Sequence, residues 1–208
     1  MKRPLYPLFL DLQDRPVLVV GAGPISTHKI QVLLAAGATV TVVAPESTDW
    51  IKRNAEHGTI RWHPRPFAAS DLDGVYFVIA ATGNHLVNAE ISKAATERRL
   101  FVNAVDDPST ATAYASAQIV RGGVTVAVSS GGRAPAVSRL LRELLEQVLP
   151  SDETLAAWVE QAASLRTQWQ NENTPLSERY RDLLRRLLLR EPLAQTAIPS
   201  GDTQEPAA

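Results

Sequence analysis

The segment from Val17 to Gly37 constrains the fold of this chain more than any other, and it reads V-L-V-V-G-A-G-P-I-S-T-H-K-I-Q-V-L-L-A-A-G. Its four leading apolar residues are too few for a helix and run directly into a glycine turn, which is typical of a strand buried in a parallel sheet. Apolar residues then recur at helical spacing, and Gly37 closes the helix. The segment therefore predicts the first half of a nucleotide-binding βαβ unit.

The glycine turn in this segment is suited to a pyrophosphate. Gly21 permits the tight turn, and Gly23 lets backbone N–H groups approach a pyrophosphate at the positive end of the helix. The third small position of the usual G-x-G-x-x-G/A pattern is Ser26, which is still small enough for close helix–strand packing. The alternative is a glycine turn that has no ligand and only connects two elements. The motif follows a strand and precedes a helix, which is the context that dinucleotide binding requires, so dinucleotide binding is favoured.

The end of the second predicted strand, Thr39–Val43, bears on the choice of cofactor. In NAD-binding Rossmann units an acidic residue near this point holds the ribose hydroxyls. Here the strand is followed by Ala44, Pro45 and Glu46, so either the Glu46 carboxylate or backbone groups at Ala44 and Pro45 would contact the ribose. No arginine occupies the strand end to receive a 2′-phosphate, and NAD is therefore favoured over NADP.

Strands and helices alternate through the first half of the chain, which predicts a Rossmann-like, doubly wound parallel sheet of the α/β class. Besides those already named, the predicted elements are a short edge strand over Tyr6–Leu12, a helix over Asp49–His57, strands over Thr59–His63, Val75–Ala80 and Leu100–Val102, and a helix capped by Asn84 that runs to about Arg98. The loops that follow the strands lie at the carboxyl edge of the sheet, where open α/β folds bind their ligands.

After about residue 112 the pattern changes to a small α+β module and then to helices. Two strands joined by Arg121-Gly122-Gly123 predict a hairpin, Pro135 suits the first turn of a following helix, and Ser177 is the predicted cap of the last one. The predicted domains are an NAD-binding Rossmann domain over 1–112, a hairpin–helix dimerisation module over 113–149, a helical domain over 150–190 and a disordered tail over 191–208.

The dimerisation prediction rests on the helix after Pro135, whose apolar stripe has little else to pack against. Such a stripe favours a homodimer interface, and a helical cap within a monomer is the alternative. The stripe consists of Val137, Leu140, Leu141, Leu144, Leu145 and Val148.

Composition excludes several classes of protein. The formal net charge is −1, which gives no electrostatic support for nucleic-acid binding. Because the chain has no cysteine, disulfides, thiolate metal sites and thiol catalysis are excluded, and the four scattered histidines show no metal-ligand spacing. No apolar run reaches the length of a membrane span and no signal-peptide pattern is present, so we expect a cytoplasmic protein without a membrane partner.

Three motifs, taken in order, resemble one family. They are L-x-L-x-D-R-P-V-L-V-V-G-A-G-x-x-x-x-x-K, N-A-V-D-D-P from Asn103, and V-A-V-S-S-G-G-R-A-P-A-V-S-R-L-L-R-E from Val126. Over about Leu5 to Pro150 the chain is similar to the precorrin-2 dehydrogenase/sirohydrochlorin ferrochelatase family, the dehydrogenase–chelatase half of siroheme synthase. The resemblance implies NAD-dependent oxidation of precorrin-2 to sirohydrochlorin, followed in some members by insertion of Fe²⁺ to give siroheme. It also implies a homodimer formed through the module after the Rossmann domain.

The resemblance assigns residues by motif. The pyrophosphate turn is matched by Pro24 and Ile25, the ribose end of the second strand by Pro45 and Glu46, the catalytic aspartate by Asp106, and the loop beside the tetrapyrrole pocket by Ser130 and Gly131. Two stretches depart from the family pattern. Residues 26–29 are Ser-Thr-His-Lys, where members often have Ala-x-Arg-Lys. Residues 113–117 are Ala-Tyr-Ala-Ser-Ala, where members often have a stretch with Phe and Pro.

Asp106 and Arg133 carry the predicted chemistry. An aspartate with an ordinary pKa of ~4 is ionised at neutral pH and can act as a base. A turn or capping role before Pro108 is the alternative, and Asp107 could equally fill it. Because the substrate carries many carboxylates, Arg133 beside the S-S-G-G loop is a candidate for substrate binding, and a place on a solvated helix face is the alternative. A non-catalytic NAD-binding sensor and a tetrapyrrole carrier remain alternatives to the enzyme.

Overall fold

The computed structural model describes residues 4–105 and 107–188, with the side chain of Leu188 left out. Its main sheet has five parallel strands in the order β3-β2-β1-β4-β5, which confirms the Rossmann-like α/β prediction. The strands are β1 (Pro16–Val20), β2 (Thr39–Val43), β3 (Arg61–His63), β4 (Phe77–Ala80) and β5 (Phe101–Ala104), and the helices between them are α1 (Pro24–Ala35), α2 (Asp49–Glu56) and α3 (His85–Glu97).

The central strand β1 explains why the sheet needs helices on both faces. Residues 17–20 are all buried, and alternate side chains enter two separate apolar layers. Val17 and Val19 pack with Ile30 of α1 on one face, while Leu18 and Val20 pack with the layer that contains α3 on the other. Because successive side chains of a strand point to opposite faces of the sheet, the continuous apolar run of β1 contributes to both layers.

The order of the strands creates a crevice at the carboxyl edge of the sheet. From β1 the chain first builds β2 and β3 on one side, and it then returns to place β4 and β5 on the other side. Val20 at the end of β1 lies beside Ala80 at the end of β4. The connections leave these two strands in opposite directions, and open α/β sheets bind their ligands at such a switch point.

The second half of the chain contains the hairpin of β6 (Ala117–Arg121) and β7 (Val124–Val128), followed by α4 (Pro135–Val148), α5 (Asp152–Asn171) and α6 (Leu176–Leu188). Two compact units result, one from residues up to 117 with 127–143, the other from 118–126 with residue 144 onward. Within the second unit, the Arg121 guanidinium donates to the carbonyls of Glu146, Leu149 and Pro150 at 3.1–3.3 Å. This side chain thus fixes the end of α4 to the hairpin.

Two local predictions are wrong. Residues 6–12 form no edge strand, because Pro7 removes a backbone donor and fixes φ, and only Leu12 of this segment is buried. The last helix begins at Leu176, so Ser177 lies inside its first turn and not at its cap. The N–H groups of residues 178 and 179 both donate to the Pro175 carbonyl, which starts the helix earlier. The tail predicted over 191–208 lies outside the described residues. No helix in the described ranges is both long and apolar enough to cross a membrane.

Candidate functional site

The turn after β1 requires glycine at its first position. Gly21 has φ +106°, a backbone conformation that side-chain-bearing residues rarely adopt. Its N–H donates to the Val43 carbonyl at 3.0 Å, which ties the turn to the end of β2. A Cβ atom on Gly21 would lie 2.2 Å from the Ala81 carbonyl oxygen, just past β4. The backbones after β1 and β4 therefore approach so closely that only glycine fits between them.

The start of α1 is left open for an anion. Gly23 is the N-cap, no side chain of residues 4–105 or 107–188 is seen to cap the helix, and its first turn carries no acidic residue. A Cβ atom on Gly23 would meet none of the described residues within 4 Å, so no described side chain fills the space in front of the helix. Pro24 occupies the first turn, where a missing N–H costs nothing, and Ile25 is 55% exposed beside it. Uncapped N–H groups at the positive end of a helix fit a pyrophosphate.

Ser26 closes the packing between α1 and the sheet. Its side chain is fully buried, and its hydroxyl donates to the Ala81 carbonyl at 3.3 Å. That carbonyl is the same one that excludes a side chain at Gly21. A serine at the third position of the glycine pattern thus satisfies a backbone group at the end of the crevice.

The end of β2 presents polar groups where the ribose is expected. Pro45 and Glu46 are exposed. The Ala44 carbonyl accepts a hydrogen bond from the Trp62 indole N–H at 3.1 Å, whereas the buried Ser47 hydroxyl has no partner among the described residues. A buried hydroxyl is costly when unpaired, so this group fits a contact to a bound sugar. The sequence reasoning missed Ser47, although its place after Glu46 was visible, because its burial depends on tertiary packing.

The rim after β4 is held by one buried amide. The Asn88 side-chain oxygen accepts hydrogen bonds from the backbone N–H and the hydroxyl of Thr82, at 3.0 and 2.6 Å. The Asn88 amide group donates back to the Thr82 carbonyl at 3.2 Å. Asn84 caps α3 as expected, its side chain accepting from the Leu86 N–H at 2.9 Å. The loop is therefore fixed while Gly83 leaves open space.

The loop after β5 contains Asp106, the predicted catalytic residue, which lies outside the described residues. On one flank the Val105 N–H donates to the Ala80 carbonyl at 2.8 Å. The loop returns to its start, because Thr112 and Ala113 both donate to the Val102 carbonyl at 3.0 Å. The flank before Asp106 is therefore tied to the end of β4, and the loop is tied back to β5 at Val102.

Asn103 adds a link from this loop to α1. Its buried side chain accepts a hydrogen bond from the Lys29 ammonium at 3.1 Å and donates to the Ala113 carbonyl at 3.0 Å. The link spans the lysine of the first motif and the asparagine of the second, which sequence reasoning treated separately. A contact between residues so far apart in the chain has no local sequence pattern.

Asp107 performs the turn role that the sequence left open to either aspartate. Its carboxylate accepts hydrogen bonds from the Ser109 N–H and hydroxyl, at 3.1 and 2.5 Å, and from the Thr110 hydroxyl at 3.0 Å. These donors, led by the Ser109 hydroxyl, hold the pKa of Asp107 below its ordinary value. The Asp107 carboxylate is thus ionised and engaged within its own turn.

The S-S-G-G loop packs directly against the loop after β5. A Cβ atom on Gly132, which has φ +73°, would lie 3.0 Å from Pro108 and 3.2 Å from the Tyr114 ring. The Tyr114 hydroxyl itself donates to the Pro108 carbonyl at 2.8 Å. The structure therefore brings together the second and third motifs, and Tyr114 belongs to the stretch that departs from the family pattern.

Within the S-S-G-G loop the predicted substrate residues have distinct roles. The Ser130 hydroxyl accepts from the Ala134 N–H at 3.0 Å, and the Gly131 N–H donates to the Ser129 hydroxyl at 3.2 Å. Arg133 is exposed, and its Nε donates to the Ser130 carbonyl at 3.4 Å. The other two arginines near the loop, at positions 139 and 142, both contact the Glu143 carboxylate.

Two family models match successive parts of the chain. An NAD(P)-binding family model matches residues 8–117, and a model for the central part of sirohaem biosynthesis proteins matches residues 121–147. Siroheme synthase 3 of Aeromonas hydrophila is 41% identical over 197 residues, covering 95% of this chain and 41% of that protein. Siroheme synthase 1 of Serratia proteamaculans is 40% identical over 175 residues, covering 84% and 36%. The chain thus spans about two fifths of the length of these relatives.

Among solved structures, that of "SirC, precorrin-2 dehydrogenase" matches with a TM-score of 0.67 and 30% sequence identity, over 86% of this chain and 87% of that one. The NAD(P)-binding family model and this neighbour therefore define an NAD-binding protein of the Rossmann type, with NAD as its cofactor. Within that class, the chain belongs to the precorrin-2 dehydrogenase/sirohydrochlorin ferrochelatase family.

Proposed function

We propose that this chain oxidises precorrin-2 to sirohydrochlorin, with NAD as the hydride acceptor. The observation that carries the proposal is the packing of Gly132 against Pro108 and Tyr114. This contact supports the proposal because the S-S-G-G loop then lies beside the loop that follows β5 and contains the predicted catalytic aspartate. The match to a precorrin-2 dehydrogenase over most of both chains supports the same reaction.

Each end of the dinucleotide has residues suited to it. Gly21, Gly23 and the following Pro24 and Ile25 form the pyrophosphate turn, since the open start of α1 offers backbone donors. Pro45, Glu46 and the Ser47 hydroxyl form the ribose end, and that hydroxyl has no hydrogen-bond partner in the part of the chain that the structure describes. When bound, NAD supplies the hydride chemistry, and the protein supplies position and electrostatics.

We propose that the Asp106 carboxylate accepts the proton that precorrin-2 loses as its hydride is transferred to NAD. The dehydrogenation takes a hydride and a proton from precorrin-2, so a base is needed beside the dinucleotide. The neighbouring Asp107 carboxylate is engaged by Ser109 and Thr110 in its turn. This leaves Asp106 as the aspartate of the motif that is suited to the reaction.

The substrate is a polycarboxylate, and the S-S-G-G loop offers matching donors. The exposed Arg133 guanidinium can bind a carboxylate bidentately. Ser130 and Gly131 set the shape of the loop through their contacts with Ala134 and Ser129. We therefore propose Ser130, Gly131 and Arg133 as substrate contacts. Because the reaction uses NAD, we also propose a cytoplasmic location.

We propose that the chain acts as a homodimer formed through the module predicted over 113–149, between the Rossmann domain and the C-terminal helices. The apolar face of α4 supports this proposal, because five of its residues are 44–66% exposed: Val137, Leu140, Leu141, Leu144 and Val148. An exposed apolar patch of this kind marks an interaction site.

The double variant Leu140→Glu/Leu144→Glu is expected to convert the dimer to a monomer. Each leucine that is buried at an interface contributes about 1.5 kcal/mol or more, so the dissociation constant should rise by at least about 100-fold. Light scattering over a range of protein concentrations measures this change. Leu86→Glu, which alters a leucine that is 69% exposed on α3, is the control and should leave the dimer intact. A wild-type chain that is monomeric at all concentrations would contradict the proposal.

The visible spectrum of precorrin-2, with and without NAD, separates the enzyme from its alternatives. A dehydrogenase converts the pigment only when NAD is present and forms NADH as it does so. A sensor leaves the pigment unchanged, and a carrier shifts its spectrum without consuming NAD. Fe²⁺ added to the sirohydrochlorin product then tests the second reaction of the family, with iron as a substrate, against the spontaneous rate of insertion.

A further inference from the structure

An arginine lies beside the proposed ribose site, although it is distant in sequence from the end of β2. The backbone N–H groups of Ala44 and Arg65 both donate to the His63 carbonyl, at 3.2 and 2.9 Å. The two residues are therefore neighbours across the ends of β2 and β3. From this position the long Arg65 side chain could extend toward Pro45 and Glu46.

The Arg65 side chain is instead held by an acid on the next segment. Its guanidinium donates two hydrogen bonds to the Asp71 carboxylate, and the one from Nη1 is 2.8 Å long. Nη1 also donates to the Pro66 carbonyl at 3.0 Å. The Asp71 side chain is only 9% exposed and also accepts from the Ala68 N–H at 2.9 Å. The Arg65 hydrogen bond holds the pKa of Asp71 below its ordinary value. The carboxylate thus stays ionised at neutral pH and retains the guanidinium.

We infer that Asp71 makes the site selective for NAD by withholding Arg65 from the 2′ position of the adenosine ribose. The inference rests on the ribose site proposed above. Rossmann proteins that bind NADP place an arginine on the 2′-phosphate. Here the nearby arginine is already paired with Asp71, and the exposed Glu46 carboxylate of the proposed ribose site would repel a phosphate. Selectivity is therefore set by a residue that need not touch the cofactor, and Asp71 acts as a positioning residue.

The variant Asp71→Asn tests the inference, because it removes the charge and keeps an oxygen that can accept from the Ala68 N–H. Calorimetric titration of the whole chain with NAD and with NADP gives the ratio of their dissociation constants. A released arginine should form a charge-assisted hydrogen bond with the 2′-phosphate, so we expect NADP to gain at least about tenfold relative to NAD. The dissociation constant for NAD itself should be unchanged.

A second substitution separates release of the arginine from a general change in the loop. In Arg65→Gln/Asp71→Asn the NADP gain should disappear. If Asp71→Asn unfolds, Asp71→Ser offers a hydroxyl acceptor to the Ala68 N–H and should give the same gain. A lower unfolding temperature with an unchanged ratio would show that the pair only fixes the loop, and would overturn the inference. Failure of the wild-type chain to bind NAD would instead contradict the proposed ribose site.

Discussion

Gly21→Ala is expected to abolish measurable NAD binding. The added Cβ atom would lie 2.2 Å from the Ala81 carbonyl oxygen, and φ +106° is unfavourable for alanine. The turn must therefore open, which moves the start of α1 and its N–H groups away from the crevice. We expect the dissociation constant for NAD to rise by at least about 100-fold, a loss of roughly 2.7 kcal/mol in binding. Calorimetry measures the binding, and thermal unfolding records the accompanying loss of stability.

Gly23→Ala is the matched comparison two residues further on. A Cβ atom at this position would meet no described residue within 4 Å, and the φ of −83° suits any residue. This variant should keep the unfolding temperature of the wild type and weaken only the binding of NAD, because the methyl group enters the space of the pyrophosphate. If Gly21→Ala bound NAD as tightly as the wild type, the turn after β1 would not be the cofactor site.

Asp106→Asn is expected to lower kcat for the oxidation of precorrin-2 by about 10²–10⁴-fold, the usual contribution of a general base. The amide has nearly the shape of the carboxylate and cannot take the proton. Because Asp106 is proposed to act on the substrate, NAD should bind with its wild-type affinity. Stopped-flow measurement of NADH formation gives kcat, and calorimetry gives the affinity.

Asp107→Asn is the control for Asp106→Asn, since the two residues are adjacent and chemically identical. The amide oxygen can still accept from Ser109 or Thr110, so the turn should persist and kcat should fall by less than about tenfold. Full activity in Asp106→Asn would show that the catalytic assignment is wrong. A large loss in Asp107→Asn alone would transfer the role to Asp107.

The strand, turn and helix of residues 16–35 were predictable because each depends on local pattern. An apolar run, a glycine pair and helical spacing all occur within about twenty residues, and the structure follows them closely. The edge strand over residues 6–12 was wrongly predicted, because the prediction followed the apolar pattern and ignored the effect of Pro7 on the backbone. Hydrophobic patterning is a reliable guide only where the residues are also buried by their neighbours.

The contacts that assemble the candidate site were not predictable, because they join residues far apart in the chain. Gly132 against Pro108 and Lys29 with Asn103 are contacts of this kind. Ser47 lies next to a predicted residue, yet only the structure shows that its hydroxyl is buried and lacks a partner among residues 4–105 and 107–188. Sequence motifs therefore predict the parts of the candidate site, and tertiary packing determines how these segments meet.

The most direct test of the central claim is a crystal structure of the chain with NAD bound. We expect the pyrophosphate to lie across Gly21 and Gly23 at the start of α1, with the nicotinamide ring next to the carboxylate of Asp106. A dinucleotide bound elsewhere, or an Asp106 side chain directed into bulk solvent away from the ring, would contradict the account.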